Sequence, residues 1–385
     1  GGNIAIGHDA LYANLISIRN VAIGEEALRL NTTSYNIAVG YRALYSNTTG
    51  PKCTAVGYAA LETNTTGNLN VAIGYAALNK NTTGGGNTAT GNEALENNTT
   101  GAHLVASGYK ALELNTTGNY NVAIGSNSLV YNTTGDENVA IGYEALFRNT
   151  TANANQAFGY RALNKNTTGD RNTAIAKHAL HDNTTGHSNI AVGNHCLMNN
   201  TTGVGNVATG VSALETSSTA SDNVAYGFVA LYKNTTGHSN VAAGTSSLRE
   251  NTTGHSNVAL GYQAGNSITT GSNLTVIGYD ADSSSATATN EITLGNASVS
   301  SLRIPGLQSG AADGSVLTYN SSNGNIDLVA ASGLSDNSTA STSLGVGSSA
   351  LDSETSGTNN SAFGASALTA TTSGHTNTAV GVSAL

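Results

Sequence analysis

Tyrosines recur at one position of this 385-residue chain, directly after a glycine, and their rings and hydroxyls are suited to contact sugars. They are Tyr41, Tyr58, Tyr75, Tyr109, Tyr143, Tyr160, Tyr262 and Tyr279, and Phe228 takes the same position once. An aromatic ring presents an apolar face that can stack on a sugar, while its phenol hydroxyl can hydrogen-bond to it. The first six therefore form a candidate carbohydrate-binding column. A packing stripe between repeats or chains is the simpler interpretation, and we favour it.

The tripeptide Asn-Thr-Thr occurs 13 times, and each copy is formally an acceptor for N-linked glycosylation. The candidate asparagines are Asn31, Asn47, Asn64, Asn81, Asn98, Asn115, Asn132, Asn149, Asn166, Asn183, Asn200, Asn234 and Asn251. Asn and Gly are also the residues that tight turns require, so the motif can be a corner and nothing more. The unvarying second threonine adds a hydroxyl that a corner does not need. A bare turn and a protective column of sugars, on the asparagines or the threonines, both remain open.

Histidines and cysteines do not show the spacing of a metal site or a disulfide. Four histidines follow a loop glycine, but only His238 and His255 fall in adjacent repeats, so a solvated turn residue is the better interpretation. Cys53 and Cys196 occupy different positions of the repeat, eight repeats apart. At ~4.8 Å per repeat they lie about 38 Å apart, far beyond the ~7 Å limit for a disulfide. We expect no metal, no disulfide and no cofactor.

Catalysis and ice binding are also disfavoured. The 23 acidic residues are scattered, and although Glu93 and Glu96 lie near one another, glycoside cleavage needs two carboxylates across a cleft. The threonine pairs resemble an ice-binding array, but successive strand residues face opposite ways, so only one threonine per repeat would line a face. We predict that the chain is not an enzyme.

The elements that position these side chains are copies of one 17-residue unit, typified by residues 70–86. Its glycine has counterparts every 17 residues from Gly7 to Gly278, with one spacing of 16 and with Ala176 replacing one glycine. Val71 and Ile73 alternate with Ala72, as in a short strand with two faces, and a leucine column follows the glycines. A fixed period this short is typical of a solenoid. We predict an all-β fold, a parallel β-solenoid or β-roll of 17-residue coils.

A second asparagine stands four residues before most of these glycines, where its amide could hydrogen-bond from coil to coil. These residues are Asn20, Asn36, Asn70, Asn87, Asn121, Asn138, Asn172, Asn189, Asn206, Asn223, Asn240 and Asn257. The Ala-Leu half of the unit is compatible with a helical turn or an outer strand, and the sequence does not decide between them.

The amino-acid sequence divides into three parts. Residues 1–279 are the regular array, residues 280–332 are a non-repeat β junction with a hairpin around Asn323 and Gly324, and residues 333–385 are a second, Ser-rich and incomplete array. The 17-residue spacing returns there in Gly347, Gly364 and Gly381. Because the chain opens and closes within repeats, we expect it to be a piece of a longer protein.

Composition limits the partners. The net charge is −9, only 10% of residues are charged and there is no basic stripe, which argues against nucleic acid and anionic membranes. No run approaches 18 apolar residues, so we expect no membrane insertion. Each strand has two apolar faces. One face fills the coil interior, and the other is left exposed on the surface of the coil. We therefore expect identical chains to associate, preferably about a three-fold axis, with end-to-end filaments left open.

The Asn-Val-Ala-Ile-Gly repeats are similar to the head repeats of trimeric autotransporter adhesins, and the Asn-Thr-Thr-Gly coils resemble those of phage tail-fibre-like proteins. Residues 290–304 strengthen the second resemblance, which covers almost the whole chain. It implies a homotrimeric, left-handed β-roll in an extracellular fibre at a cell or virion surface. It also implies adhesion or receptor binding, with cell-surface glycans as candidate partners. The alternatives are a glycosylated structural filament without a specific receptor and, less favoured, a polysaccharide-degrading tailspike-like enzyme.

Overall fold

The structure is a computed structural model, and it describes residues 1–301, 315–320, 325–330, 344–346, 360–363, 367 and 376–384. Every regular element in these residues is a β-strand. The chain divides into two compact units, Gly1–Ser298 and Val299–Leu385. In the first unit, 18 strands form one sheet in which each strand pairs in parallel with the next. The predicted all-β parallel β-solenoid is confirmed.

Most strands of the first unit are three residues long, and the last two have six. They are β1 Ile4–Ile6, β2 Val21–Ile23, β3 Ile37–Val39, β4 Thr54–Val56, β5 Val71–Ile73, β6 Thr88–Thr90, β7 Val105–Ser107, β8 Val122–Ile124, β9 Val139–Ile141, β10 Gln156–Phe158, β11 Thr173–Ile175, β12 Ile190–Val192, β13 Val207–Thr209, β14 Val224–Tyr226, β15 Val241–Ala243, β16 Val258–Leu260, β17 Ser272–Ile277 and β18 Thr289–Leu294. Because β17 and β18 also pair in parallel, the stack continues past residue 279 into the segment that the sequence suggested as a junction.

Each residue of a strand faces the residue at the same position of the next coil. Ala72 of β5, for example, faces Ala89 of β6. The step is 17 residues throughout β1–β18 except between β2 and β3, where Ala22 faces Ala38. Side chains of one kind therefore form columns along the stack.

Neither a helix nor an outer strand forms the Ala-Leu half of the coil, which is a series of turns with left-handed residues. Ala76 and Leu78 have φ of 52° and 51°. A left-handed conformation costs an L-residue roughly 1–2 kcal/mol, so the stack has to impose it. One interaction that does so is the hydrogen bond from the Leu78 N–H to the Ala94 carbonyl in the next coil, at 3.0 Å.

The corner glycine is required by close stacking. Gly74 has φ of 141°, and a Cβ placed on it would lie 2.3 Å from the carbonyl oxygen of Gly91 in the next coil. Any side chain there would push two coils apart. Ala176, the one exception, adopts a different φ of 104°.

Small side chains fill the interior. Ala72, Ala77 and Leu78 are fully buried, and their counterparts form one continuous core along the first unit. The flanking strand residues point outward, so that Ile73 is 42% exposed. As the sequence suggested, one strand face fills the coil while the other is left on the surface.

Buried asparagines of the Asn-Thr-Thr motif run through this core as a ladder. Asn81 Nδ2 donates to Oδ1 of Asn64 in the preceding coil at 2.7 Å and to the carbonyl of Gly84 in its own turn at 2.9 Å. Such links join every coil from Asn31 to Asn200. Each amide therefore fixes its own turn and the register of its neighbour.

The ladder is interrupted where serine replaces asparagine. Ser217 is too short to reach the preceding coil, so Oδ1 of Asn200 and Oγ of Ser217 are buried without a partner among the described residues. A second, shorter ladder joins Asn251 to Asn234. It ends because Ile268 stands at the next position, which leaves Oδ1 of Asn251 unpaired in the described part of the chain.

The second asparagine column also links coils, as predicted. Asn70 Oδ1 accepts a hydrogen bond from the backbone N–H of Asn87 at 2.9 Å, and its Nδ2 donates to the carbonyl of Gly84 at 2.8 Å. Asn155, which the sequence analysis did not include, occupies the same position and donates its backbone N–H to Asn138 Oδ1 at 3.0 Å. This column ties the entry of each strand to the coil beside it.

The second unit contains a hairpin and three short parallel strands. These are β19 Ser315–Asn320, β20 Asn325–Ala330, β21 Leu344–Val346, β22 Ser361–Phe363 and β23 Thr378–Val380. β19 and β20 pair antiparallel, and β21–β23 pair in parallel 17 residues apart. The predicted turn residues Asn323 and Gly324, and the repeat glycines Gly347 and Gly364, lie outside the described residues.

The interruption of the asparagine ladder at Ser217 can be repaired by one substitution. We expect Ser217→Asn to stabilise the first unit by about 1 kcal/mol, because the new amide can donate to Asn200 and accept from Asn234. Denaturant unfolding and hydrogen exchange around this turn measure the effect. Thr219→Asn is the matched control, since Thr219 is exposed in the same turn, and it should change stability by less than about 0.5 kcal/mol. Equal effects of the two substitutions would contradict the role of the ladder.

Candidate functional site

Three surfaces of the coil differ in chemistry. The strand face consists of the first and third residues of β2–β16, whose middle residue is always buried, and none of its positions holds a charged residue. The turn face consists of the first, second, fifth and sixth residues after each corner glycine, or after Ala176 in the one coil that lacks the glycine. Most of the tyrosines and ion pairs lie on this face. The threonine column consists of the second threonine of each Asn-Thr-Thr turn and of its counterparts.

Tyrosine rings of the turn face stack on one another. Tyr58 lies between Tyr41 and Tyr75, with ring centroids 5.1 and 5.2 Å apart and planes within 20°. Tyr143 and Tyr160 form a second stack at 5.5 Å. Both faces of the Tyr58 ring are thus covered by aromatic neighbours, and its edge and hydroxyl remain on the surface. This geometry supports the packing interpretation for the interior of a stack.

A sugar could stack only on a ring at the end of such a row. Tyr75 is one example, because Asn92 stands at the corresponding position of the next coil. Tyr109 is the one candidate of the six without an aromatic partner among the described residues, and the Lys110 ammonium lies 5.7 Å from its ring centroid. The six tyrosines therefore form two short stacks and one isolated ring.

Glu93, one of the two acids singled out in the sequence, belongs to an ion-pair network. Carboxylate oxygens of Glu93, Glu96 and Glu113 lie within 4.8 Å of one another. Lys110 Nζ contacts Glu113 at 3.0 Å and Glu93 at 3.1 Å, and these hydrogen bonds raise the pKa of Lys110. The Lys110 ammonium thus balances part of the negative charge of this acidic group.

The 13 candidate glycosylation sites lie inside the coil. Every one of these asparagines has no exposed surface, as for Asn81. In the ladder, Nδ2 of Asn81 already donates both to Asn64 and to Gly84. A sugar on this nitrogen would remove a donor and would have no space in the core, so N-linked glycans are incompatible with the folded coil at these positions.

The two threonines of the turn have different environments. The hydroxyl of Thr82, the first, donates to the carbonyl of Thr99 in the next coil at 2.9 Å. Thr83, the second, is exposed, and its hydroxyl donates no hydrogen bond to any described residue. The same position is an exposed threonine in every coil from Thr49 to Thr270. Modification of the folded turn would therefore have to occur on this column.

Both cysteines are free and buried, which agrees with the expectation that they do not pair. Burial raises the pKa of Cys196 to about 12 and also raises that of Cys53. Both thiols are protonated and unreactive at neutral pH.

A group of basic and aromatic side chains, which the sequence analysis did not single out, lies on the turn face near Ala176. Tyr160, Arg161, Lys177 and His178 line an open hollow of about 420 Å³. The His178 ring stacks on Tyr160 with centroids 5.5 Å apart. In the sequence, this coil was distinguished only by Ala176, which replaces the corner glycine.

Comparison of the chain with protein-family models, with curated proteins and with solved structures found no match. Within the described residues there is also no helix that is long and apolar enough to cross a membrane.

Intact-mass measurement tests whether the Asn-Thr-Thr turns carry sugars. We expect the folded chain to carry no N-linked sugar at the 13 positions, because each Nδ2 is buried in the ladder. Site mapping that places sugars on these asparagines in protease-resistant protein would contradict this. Mass increments confined to the second threonines, removed by Thr83→Ala at that turn, would instead show a coat attached to the exposed column.

Tyrosine substitutions separate packing from sugar binding. Tyr58→Ala removes a ring with two stacked neighbours and is expected to destabilise the array by about 1 kcal/mol. Tyr75→Ala removes an end ring, so it should destabilise less and is the variant that would lose sugar binding. Glycan-array binding and unfolding midpoints of the same preparations are the measurements. Loss of glycan binding in a fully stable Tyr58→Ala protein would contradict the packing role.

Proposed function

We propose that this chain forms the shaft of a structural fibre built from identical copies. The observation that carries the proposal is the unbroken parallel register of 18 strands, in which every coil covers the next. At ~4.8 Å per strand, the stack in the first unit is roughly 80 Å long. A stack of this kind gains stability from nearest neighbours, so length is added without enlarging the core.

The strand face supports association of identical chains. It is uncharged, and large side chains such as Ile23, Ile73 and Ile124 remain 37–42% exposed on it. Soluble monomers rarely expose continuous apolar patches of more than a few hundred Å². A second copy in the same register presents the same columns at the same spacing, so contacts match along the whole stack. Three copies about an axis parallel to the stack is the arrangement that we propose.

The turn face supports an adhesive or receptor-binding role. Its aromatic and charged residues differ from coil to coil, whereas the strand face repeats. A partner that recognises one place on a repetitive fibre needs such differences. We propose that the fibre is extracellular, at a cell or virion surface, and that its turn face contacts surface glycans through tyrosine edges and end rings.

A sugar-coated filament without a specific receptor is the second candidate. The second threonines from Thr49 to Thr270 favour it, because they are regularly spaced, exposed and available for modification. In this alternative the fibre would protect or space a surface and would bind no particular partner.

Substitution of the strand face tests assembly. We expect cross-linking and native mass measurement to show trimers of the wild-type chain. Ile73→Lys should reduce trimers to monomers while the circular dichroism spectrum is unchanged, because a buried unpaired charge at the interface is costly. Thr66→Lys, on the exposed threonine column of the neighbouring coil, is the matched control and should leave trimers intact. A wild-type monomer with full protease resistance would refute the proposal.

A further inference from the structure

On the turn face, ion pairs form between charged residues of neighbouring coils. A cation at the second residue after the corner can be held between a carboxylate in the preceding coil and one in the following coil. Arg42 shows this arrangement, with its Nε 2.7 Å from Glu26 and its Nη1 3.1 Å from Glu62. The two carboxylates engage the guanidinium from both sides, and the hydrogen bond that Arg42 Nε donates to Glu26 is the main cause of the raised pKa of Arg42.

Arg161 occupies the same position but has only one of the two carboxylates. Its Nε lies 2.7 Å from Glu144 in the preceding coil, as Arg42 lies beside Glu26. In the following coil, however, His181 stands where the Arg42 site has Glu62. The terminal nitrogens of Arg161 donate to no acceptor among the described residues.

Other unpaired donors surround the same hollow. The exposed Lys177 ammonium makes no ion pair with any described residue. Both ring nitrogens of His178 are shielded from solvent and have no hydrogen-bond partner in the described part of the chain. His178 also lies close to two further imidazoles, with ring centroids 5.0 Å from His181 and 5.4 Å from His195.

We propose that this hollow binds an oxyanion, namely a carboxylate, sulfate or phosphate group. The anion takes the place that the Glu62 carboxylate holds beside Arg42, and it accepts hydrogen bonds from Arg161 and Lys177 next to the His178 ring. Arginine and oxyanions form strong charge-assisted hydrogen bonds because the guanidinium fork matches the spacing of two oxygens. The site lies on the turn face, whereas the proposed contacts between chains use the strand face.

The nearby carboxylates do not fill the hollow. Glu144 is held by Arg161 Nε from the side of the preceding coil. Asp182 contacts Lys165 at 2.9 Å and His181 at 2.5 Å, and although burial opposes its ionisation, these two hydrogen bonds lower its pKa. Both acids are therefore already paired.

Binding should strengthen as pH falls. Burial is the main cause of the lowered pKa of His178, and electrostatic interactions with His181, His195, Lys177 and Arg161 lower it further. A bound anion opposes that repulsion and raises the pKa of His178, so protonation and anion binding favour each other. The affinity should increase as pH falls below about 6.5, the usual pKa of histidine, because the pKa of His178 in the free chain lies below that value.

Isothermal titration calorimetry of the full chain with inorganic phosphate, sulfate and glucuronate tests the site. We expect one oxyanion per chain, bound more tightly at pH 5.5 than at pH 7.5. The relative affinities of the three probes show whether a phosphate, a sulfate or the carboxylate of an acidic sugar is the preferred source. Absence of binding by the wild-type chain at low ionic strength would overturn the proposal.

Substitutions locate the site. Arg161→Gln and Lys177→Gln should each weaken binding at least tenfold. His181→Glu should abolish it, because the new carboxylate restores the arrangement seen at Arg42. Arg42→Gln is the matched control and should bind as wild type. Unchanged unfolding midpoints confirm that the variants are folded, and undiminished binding by Arg161→Gln and His181→Glu would refute the assignment.

Discussion

Coil-to-coil hydrogen bonding by buried asparagine amides is the constraint on which the rest of the first unit depends. A carboxamide carries a donor and an acceptor at its tip, so it can bond to a copy of itself one coil away and still close its own turn. Asn64, Asn81 and Asn98 do this without any exposed surface. A one-residue slip would leave many such groups buried and unpaired, at roughly 1–3 kcal/mol each. The 17-residue register is fixed for this reason.

Periodicity made much of the fold predictable, because columns of glycine, leucine and alternating strand residues each have one structural explanation. The role of the Asn-Thr-Thr asparagines was harder to predict, since the same tripeptide serves as a turn and as a glycan acceptor and polar residues are usually exposed. The left-handed leucines, such as Leu78, could not be predicted from propensity, which disfavours this conformation in a branched residue. At Leu78, the hydrogen bond from its N–H to the next coil and the one that its carbonyl accepts from Asn81 in its own turn hold it in place.

Only part of the candidate functional surface could be predicted from the sequence, because the surface combines residues from successive coils. The tyrosine column follows from spacing alone, but its rings cover one another because adjacent coils place them about 5 Å apart. The hollow beside Arg161 combines residues from successive coils, and its main feature is a carboxylate that is missing at His181. An absence of this kind becomes recognisable only when two coils are compared in the same register.

In-register stacking also determines how charge is distributed. Equivalent residues lie one coil apart, and two like charges at such a distance repel by roughly 1 kcal/mol in water and by more near a protein surface. A column can alternate in sign, as in Glu26 and Arg42, or consist of neutral residues, as on the strand face. Where two acids share a column in adjacent coils, as Asp9 and Glu26 do, the Arg29 guanidinium contacts both. The low charged content of 10% agrees with this constraint. The cluster of Arg161, Lys177 and His178 departs from the alternation, and for that reason it is the place on the turn face where a charge from outside the chain would complete the pattern.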